Sequence, residues 1–376
     1  MAGIYVHVPF CKTKCIYCDF YSVTDCSGLR AYVRRLLEEI RERADELPSG
    51  EKVETVYFGG GTPSLLETSD LEAILGTLRE TFPFADDTPE ITLECNPGDV
   101  TQVRAADLVG LGINRISIGA QSFSPSALRF LSRRHTPLQT EEMVTLFRGA
   151  GITNLTLDLI YGIPGTTTDD LLRDLEALIR LSPEHVSAYS LTYEEGTPLY
   201  RGLVEKKVHP ASEDLSLEMA HLVRSFLNAH GYERYEISNY KRLDPRVDYR
   251  SRHNSAYWDG TPYLGFGPAA HSYVHPVRSW NPPDLAGYLG HAPRESETLT
   301  REMQFEEYLL TRLRTSRGID LEEIRPLCTE GGFLRLKEKA NAMTKGSDPL
   351  LTFRGTRLIL TDRGTDLSDA VTRDLV

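Results

Sequence analysis

The chain has 376 residues, of which 40% are hydrophobic and 26% charged, and its formal net charge is −12. This composition predicts a soluble globular protein with two domains, or with one large barrel and an appendage. The acidic balance argues against a broad nucleic-acid-binding face, because such faces need many Lys and Arg contacts to phosphate. No apolar run approaches the ~20 residues of a membrane span. Scattered cysteines and the lack of a recognisable secretory signal favour the cytoplasm.

A cysteine motif follows the first predicted strand. Cys11, Cys15 and Cys18 stand in the pattern Cys-x3-Cys-x2-Cys, so one short loop can bring three thiolates to a single inorganic centre. A [4Fe–4S] cluster takes up to four thiolates, and three leave one iron open to another ligand. Zinc is the main alternative, but zinc motifs normally pair Cys-x2-Cys with His ligands. We therefore expect an iron–sulfur cluster.

Strand-like runs alternate with amphipathic helices through the first half of the chain, which is typical of βα units. The predicted strands are Ile4–Pro9, Thr55–Gly59, Ile91–Asn96, Arg115–Gln121, Asn154–Tyr161 and His185–Thr192. The predicted helices include Leu29–Leu47, Asp70–Phe82 and Thr168–Leu181. A capping box from Ser69 to Glu72 is expected to open the second of these helices. Six units are too few for an eight-stranded barrel, so we predict an α/β fold with a partial (βα)6 TIM-like barrel.

Polar and apolar residues alternate inside these strands. Arg115–Gln121 has one polar face, formed by Arg115, Ser117, Gly119 and Gln121. The same period of two places Glu94 and Asp158 on polar faces of their own strands. Parallel strands buried between helices normally read as continuous apolar runs, so these polar faces predict a cavity that holds water or a polar ligand. Half-buried antiparallel strands are the alternative, against which the helical spacers count.

A glycine-rich turn, Gly59-Gly-Gly-Thr-Pro63, follows the second predicted strand. Glycines allow a backbone to approach a ligand closely, but such a turn alone is often only a tight turn. Together with the cysteine motif it resembles the radical S-adenosylmethionine (SAM) superfamily, in the variant of the oxygen-independent coproporphyrinogen-oxidase-like family. There SAM chelates the open iron, and an electron from the cluster breaks its sulfonium to release a 5′-deoxyadenosyl radical. The resemblance implies a [4Fe–4S] cluster and SAM as cofactors, and an electron donor for the cluster.

Further positions match that family one by one, and their roles are implied by the resemblance. Gly61 and Thr62 belong to the element that holds SAM's amino group, and Glu94 would accept hydrogen bonds from its ribose hydroxyls. Residues that match positions near SAM or a second SAM are Tyr5, Tyr17, Gln121, Arg133 and Asp158. Taken alone, Arg133 reads as a solvated charge at a helix end.

Two departures point to one subgroup of that family. The oxygen-independent coproporphyrinogen III oxidases carry a further cysteine two residues after the third ligand, where this chain has Phe20. The run His253-Asn-Ser-Ala-Tyr-Trp258 resembles the His-Asn-x-x-Tyr-Trp motif of the heme chaperone (HemW-type) subgroup, which the oxidases lack. Both departures imply a heme chaperone.

The resemblance implies that His253, Tyr257 and Trp258 bind heme. A heme site needs an axial donor such as His, and aromatic side chains can shield the flat macrocycle. From the residues alone the question stays open, since a histidine beside aromatics is more often a hydrogen-bonded structural residue. His271 is a less favoured candidate ligand.

The second half of the chain is predicted in two parts. A helix should run from Ser212 to His230, with Gly231 at its C′ position, and a loop-rich segment from Tyr232 to Pro293 should cover the barrel mouth. Helices followed by a hairpin at Leu350–Thr361 resemble a winged-helix module, for which the acidic balance favours partner docking over DNA. We predict domains at 1–210 (barrel), 211–296 (helix and covering segment) and 297–376 (winged-helix-like).

The sequence favours a heme chaperone that binds heme and delivers it to acceptor hemoproteins. An oxygen-independent coproporphyrinogen III oxidase, which decarboxylates two propionates, is the alternative, and a radical SAM enzyme acting on another tetrapyrrole is a third. Whether the chain is an enzyme, forms a homodimer or associates peripherally with membranes stays open.

Overall fold

The computed structural model describes residues 1–86 and 88–376. Its first half alternates strands with helices, as predicted. The strands are β1 (Ala2–Val8), β2 (Val53–Gly60), β3 (Glu90–Cys95), β4 (Arg115–Gln121), β5 (Leu155–Tyr161) and β6 (His185–Ser190). The helices are α1 (Leu29–Glu42), α2 (Thr68–Thr81), α3 (Gln102–Gly110), α4 (Pro125–Phe130), α5 (Pro137–Gly149) and α6 (Thr168–Arg180).

The six strands pair in parallel in chain order, from β1 to β6. Their apolar faces pack under the helices in one large core, where Ile4, Ile116 and Leu157 are fully buried. The α/β partial barrel predicted from the sequence is therefore confirmed.

Residues 198–298 extend this sheet at both edges. They form α7 (Pro198–Val204), α8 (Glu213–Ala229), β7 (Tyr232–Arg234), β8 (Asn239–Arg242), α9 (Arg252–Trp258), β9 (Tyr263–Phe266), β10 (His271–Val274), β11 (Val277–Trp280), α10 (Leu285–Leu289) and β12 (Glu295–Thr298). The sheet runs β12-β11-β10-β9-β1-β2-β3-β4-β5-β6-β8-β7. The prediction of a loop-rich segment from Tyr232 to Pro293 was wrong, because strands of three or four residues are too short to show a pattern.

Helix α9 closes the N-terminal end of the parallel strands. The backbone N–H groups of Arg252 and His253 donate to the carboxylate of Glu90, the first residue of β3. The N–H of Ser251 donates to the hydroxyl of Tyr235. The expected cover over the barrel mouth was therefore wrong for this helix, since the mouth lies at the C-terminal ends of the strands.

Hydrogen-bonding side chains set the helix boundaries. Ser212 accepts a hydrogen bond from the N–H of Leu215 and starts α8, and Gly231 follows this helix with a φ of 83°; both predictions are confirmed. The capping box of α2 was predicted two residues too late, because Glu67 and Asp70 form it.

The C-terminal residues have a second core of their own, to which Leu309, Leu336 and Leu358 contribute. The elements are α11 (Arg301–Leu313), β13 (Ile319–Asp320), α12 (Leu321–Ile324), α13 (Glu330–Met343), β14 (Leu351–Arg354), β15 (Arg357–Leu360), α14 (Asp362–Asp366) and α15 (Ser368–Leu375). The predicted hairpin is β14–β15. The predicted domain boundaries and the winged-helix assignment stay predictions. Over the described residues, no helix is both long and apolar enough to cross a membrane.

Candidate functional site

The loop after β1 and the glycine turn after β2 pack against each other. The N–H of Gly61 donates to the carbonyl of Val8 at 2.8 Å, and the N–H of Thr62 donates to that of Phe10 at 2.8 Å. A Cβ atom on Gly61 would lie 2.6 Å from the oxygen of Phe10. Only glycine fits this approach, so the turn supports the cysteine loop whether or not it also contacts a ligand.

Cys11, Cys15 and Cys18 line one cavity. The hydroxyl of Thr62 lies 3.6 Å from the Cys11 sulfur, and a guanidinium nitrogen of Arg133 lies 3.6 Å from the Cys15 sulfur. Burial first, and then the neighbouring Cys15 and Cys11, raise the pKa of the Cys18 thiol to about 11. Three thiolates here therefore need a positive centre to offset their charge, and a metal group supplies one.

The donor set fits an iron–sulfur cluster better than a single ion. Three sulfurs and no imidazole are what a site-open [4Fe–4S] cluster takes from the protein. Within residues 1–86 and 88–376, no three His, Cys, Asp or Glu side chains gather closely enough to hold one metal ion. Thiolates that bind different irons of a cluster need not meet around one atom, as zinc ligands must.

The cavity has a volume of about 560 Å³, within the size range of small-molecule and cofactor sites. It extends from the cysteine loop through the barrel to Arg115, His185 and Asn254 near the N-terminal end. Alternate residues of the parallel strands line it, including Glu94, Ser117, Gly119, Gln121, Thr156, Asp158 and Ser187. The cavity predicted from the strand alternation is therefore confirmed.

Two buried carboxyl groups face this cavity. Burial, with Asp158 as a lesser cause, raises the pKa of Glu94 to about 7. Burial likewise raises the pKa of Asp158 to about 6. The Tyr57 hydroxyl donates to Glu94 at 2.7 Å, and the Ser117 hydroxyl donates to Asp158 at 3.2 Å. A cationic ligand, or one with several hydroxyl donors, would stabilise both carboxylates, and SAM has both features.

Arg133 joins the cysteine loop to the barrel. It donates to Asn96 Oδ1 at 2.6 Å and to the carbonyl of Gly119 at 2.7 Å, in addition to its contact with Cys15. The reading of this residue as a solvated helix-end charge was wrong, because its head group is enclosed by these three partners. The positive charge beside Cys15 would stabilise a thiolate there.

Ten of the predicted site residues line the cavity: Cys11, Cys15, Tyr17, Cys18, Gly61, Thr62, Glu94, Gln121, Arg133 and Asp158. Tyr5 does not, since its ring stacks on Tyr57 and its hydroxyl lies 3.1 Å from a ring nitrogen of His7. Sequence reasoning missed Tyr57 as a site residue. Its alternation with its neighbours on β2 was the available signal.

The predicted heme residues lie on α9, outside the lining of the cavity. The side chain of His253 is 1% exposed. Its Nδ1 lies 2.8 Å from the hydroxyl of Thr55, and its Nε2 lies 2.9 Å from that of Tyr257. Burial lowers the pKa of this imidazole to about 3. Both nitrogens are thus engaged, and iron coordination by His253 requires one of these hydrogen bonds to break. Trp258, the last residue of α9, is half-buried.

A partial parallel barrel whose strand ends carry a three-cysteine loop beside a polar cavity defines a radical SAM protein. The sequence profile of the Radical SAM superfamily matches residues 5–178.

Comparison of the whole chain is more specific. It is 37% identical to the heme chaperone HemW of Mycobacterium tuberculosis, over all of this chain and 94% of that protein. It is 33% identical to HemW of Lactococcus lactis, over 98% of this chain and 95% of that protein. The coproporphyrinogen III oxidase of Escherichia coli has the same fold, with a TM-score of 0.83 at 22% identity over 100% of this chain and 89% of that one. The chain belongs to the HemW family of the radical SAM superfamily.

Proposed function

We propose that this protein is a heme chaperone, which binds heme and passes it to acceptor hemoproteins. The observation that carries the proposal is the similarity to named heme chaperones along the entire chain, 37% over its full length in one case. A sequence match confined to the barrel would support only membership of the radical SAM superfamily. This match includes α9 and the C-terminal elements, where a cargo site separate from the radical SAM cavity can lie.

Cys11, Cys15 and Cys18 are proposed to hold a [4Fe–4S] cluster, with SAM in the adjoining cavity. When bound, the reduced cluster supplies an electron to SAM. Arg133 holds positive charge beside the Cys15 sulfur. The backbone of Gly61 and Thr62 keeps the cysteine loop in place.

The cavity residues are proposed to orient SAM. Glu94 and Asp158 accept hydrogen bonds from ligand donors, and their raised pKa values mean that a cationic ligand favours the ionised forms. Gln121 and Tyr17 line the same cavity. Tyr5 is proposed to act on the SAM site indirectly, through its stacking on Tyr57.

His253, Tyr257 and Trp258 stay proposed heme residues on the strength of the sequence motif. In the observed arrangement His253 anchors α9 instead. Heme ligation by this residue therefore needs α9 to open, and the His253–Tyr257 hydrogen bond is the contact that must be exchanged for iron.

Coproporphyrinogen III oxidation is the second candidate, favoured by the fold match and by the complete cysteine motif. Against it stands Phe20, in the position where the oxidases carry a further cysteine. This phenyl ring is 65% exposed and borders the cavity, so no thiol is available there to take part in a reaction.

Anaerobic heme titration of the cluster-loaded protein tests the proposal. We expect a saturable Soret shift, and transfer of the bound heme to an apo-hemoprotein on mixing. A parallel assay with reductant, SAM and coproporphyrinogen should give no decarboxylated product. Absence of any Soret shift would overturn the proposal, and decarboxylated product would favour the oxidase.

A further inference from the structure

The hairpin β10–β11 has one face packed on the core and one face that is partly exposed. Ser272 is buried and accepts a hydrogen bond from Arg43, and Val274 packs against the main core. By the alternation of strand side chains, His271 and Tyr273 lie on the opposite face. Their cross-strand partners are Trp280 and Arg278. These four residues, called the hairpin face below, join an imidazole, two aromatic rings and a guanidinium on one surface.

His271 has the properties of an available iron ligand. Its side chain is exposed, and neither ring nitrogen has a hydrogen-bond partner among the described residues. The indole of Trp280 stacks on it, with ring centroids 5.8 Å apart and an interplanar angle of 21°. The indole N–H donates to Glu295, which holds the ring in place. An accessible imidazole therefore stands beside a fixed aromatic plane.

His253 offers the opposite situation. It is buried, and both of its ring nitrogens are already paired, with Thr55 and Tyr257. Coordination of an iron by His253 would leave the hydroxyl of one of these partners without its hydrogen bond, which is unfavourable for a buried polar group. Coordination by His271 breaks no hydrogen bond of this kind.

A row of aromatic rings runs from His253 to the hairpin face. Tyr257 meets His253 edge-on at 4.9 Å and Tyr263 at 4.6 Å, and Tyr263 lies 6.5 Å from Tyr273 on the hairpin face. The row places the hairpin face in continuity with the motif helix α9. A flat apolar ligand on this face would extend the same packing.

The charges on the hairpin face suit a planar ligand with peripheral carboxylates. Arg278 pairs with Glu297 at 3.2 Å and with Glu307. A carboxylate at the edge of a bound macrocycle can replace Glu297 in this pair, because a guanidinium binds carboxylates through a planar fork. Heme combines the three required features: an iron that takes imidazole, a flat apolar ring and carboxylates.

We propose that the hairpin face is where this protein binds heme, with a ring nitrogen of His271 coordinating the iron and the edge of the Trp280 indole packing against the porphyrin. The proposal rests on the proposed function, since it names the site for the same cargo. It assigns the iron ligand to a residue outside the His-Asn-x-x-Tyr-Trp motif. The motif histidine, His253, then holds α9 in place.

Anaerobic titration of full-length, cluster-loaded protein with ferric heme tests this assignment, with His271→Ala, His275→Ala and His253→Ala in parallel. His275→Ala is the control, since His275 is also exposed and lies four residues further along the same chain segment, but its Nδ1 lies 3.2 Å from the Tyr273 hydroxyl. We expect His271→Ala to weaken heme binding at least tenfold and to lose the electron paramagnetic resonance signature of the wild-type iron. Adding free imidazole should restore that signature. His275→Ala should stay within threefold of the wild type.

The outcomes separate this inference from the proposed function. Wild-type protein that binds no heme overturns both. If the wild type binds heme and His271→Ala keeps the same affinity and the same electron paramagnetic resonance signature, only the assignment to the hairpin face is overturned. This outcome is clearest if His253→Ala loses the signature instead. Loss in His271→Ala without imidazole rescue also overturns it, because a purely structural defect would not be repaired by a free ligand.

Discussion

Removal of one hydroxyl group tests how α9 is held to the barrel. In Tyr257→Phe the phenyl ring keeps its edge-on contact with Tyr263 at 4.6 Å. The lost group is the partner of His253 Nε2 at 2.9 Å, and the imidazole itself is buried. The other nitrogen of the same imidazole stays paired with Thr55. The change therefore isolates a single buried hydrogen bond.

The expected loss of stability follows from that geometry. The substitution leaves almost no cavity, so the main effect is a buried ring nitrogen without a partner. Such a group costs about 1–3 kcal/mol, and we expect the free energy of unfolding to fall by that amount.

Urea unfolding followed by circular dichroism, under anaerobic conditions, measures this loss. Tyr263→Phe is the matched control, because its hydroxyl has no hydrogen-bond partner among the described residues. It makes the same chemical change on the neighbouring ring, and its effect should stay below about 0.5 kcal/mol. Equal losses in the two variants, or no loss in Tyr257→Phe, would refute the assignment of His253 as the anchor of α9.

Two further predictions concern the cavity. Gly61→Ala should at least halve the iron bound after reconstitution, because the new Cβ would lie 2.6 Å from the oxygen of Phe10. The control variant Gly76→Ala, whose Cβ would meet nothing within 4 Å, should keep its iron. Equal iron contents in the two variants would count against the close approach of Gly61 to the cysteine loop. The pKa of Glu94 is about 7, above its ordinary value of 4.5. Between these two values the folded ligand-free protein holds a proton on Glu94 that the unfolded chain has lost. The stability that this group contributes therefore falls as the pH rises through 7. Urea midpoints between about pH 5 and pH 7 should change less in Glu94→Gln than in wild type or in the exposed-site control Glu72→Gln, and three parallel profiles would contradict this.

The cavity could be predicted from the sequence because its signal is local. The period of two within Arg115–Gln121 assigns Ser117 and Gln121 to one face without any knowledge of distant residues. The same holds for the cysteine loop, since Cys18 lies only seven positions after Cys11. Parallel pairing then aligns these local faces around one space.

The position of α9 could not be predicted, because residues far away in the chain determine it. Glu90 accepts two of its backbone N–H groups and Thr55 contacts His253, across separations of 162 to 198 residues. Nothing near residue 253 in the sequence shows that these partners exist. The motif suggested an open ligand site, whereas long-range contacts enclose its histidine.

The enclosure of Arg133 could not be predicted from the residues alone, for a related reason. Its position at the end of a short helix suggests solvent exposure. Its partners, Asn96 and Cys15, lie on other strand ends that the barrel brings together. The charge is buried only after the fold has formed.

Cluster binding by the three cysteines at the cavity is the claim on which the proposed SAM site depends. Electron paramagnetic resonance of the anaerobically reconstituted and reduced protein, with and without SAM, tests it most directly. We predict about four irons per chain, as one [4Fe–4S] cluster requires, and a reduced-cluster signal that changes when SAM is added and is lost in Cys15→Ser. Bound zinc, or a cluster signal that is unchanged by SAM and retained in Cys15→Ser, would contradict it.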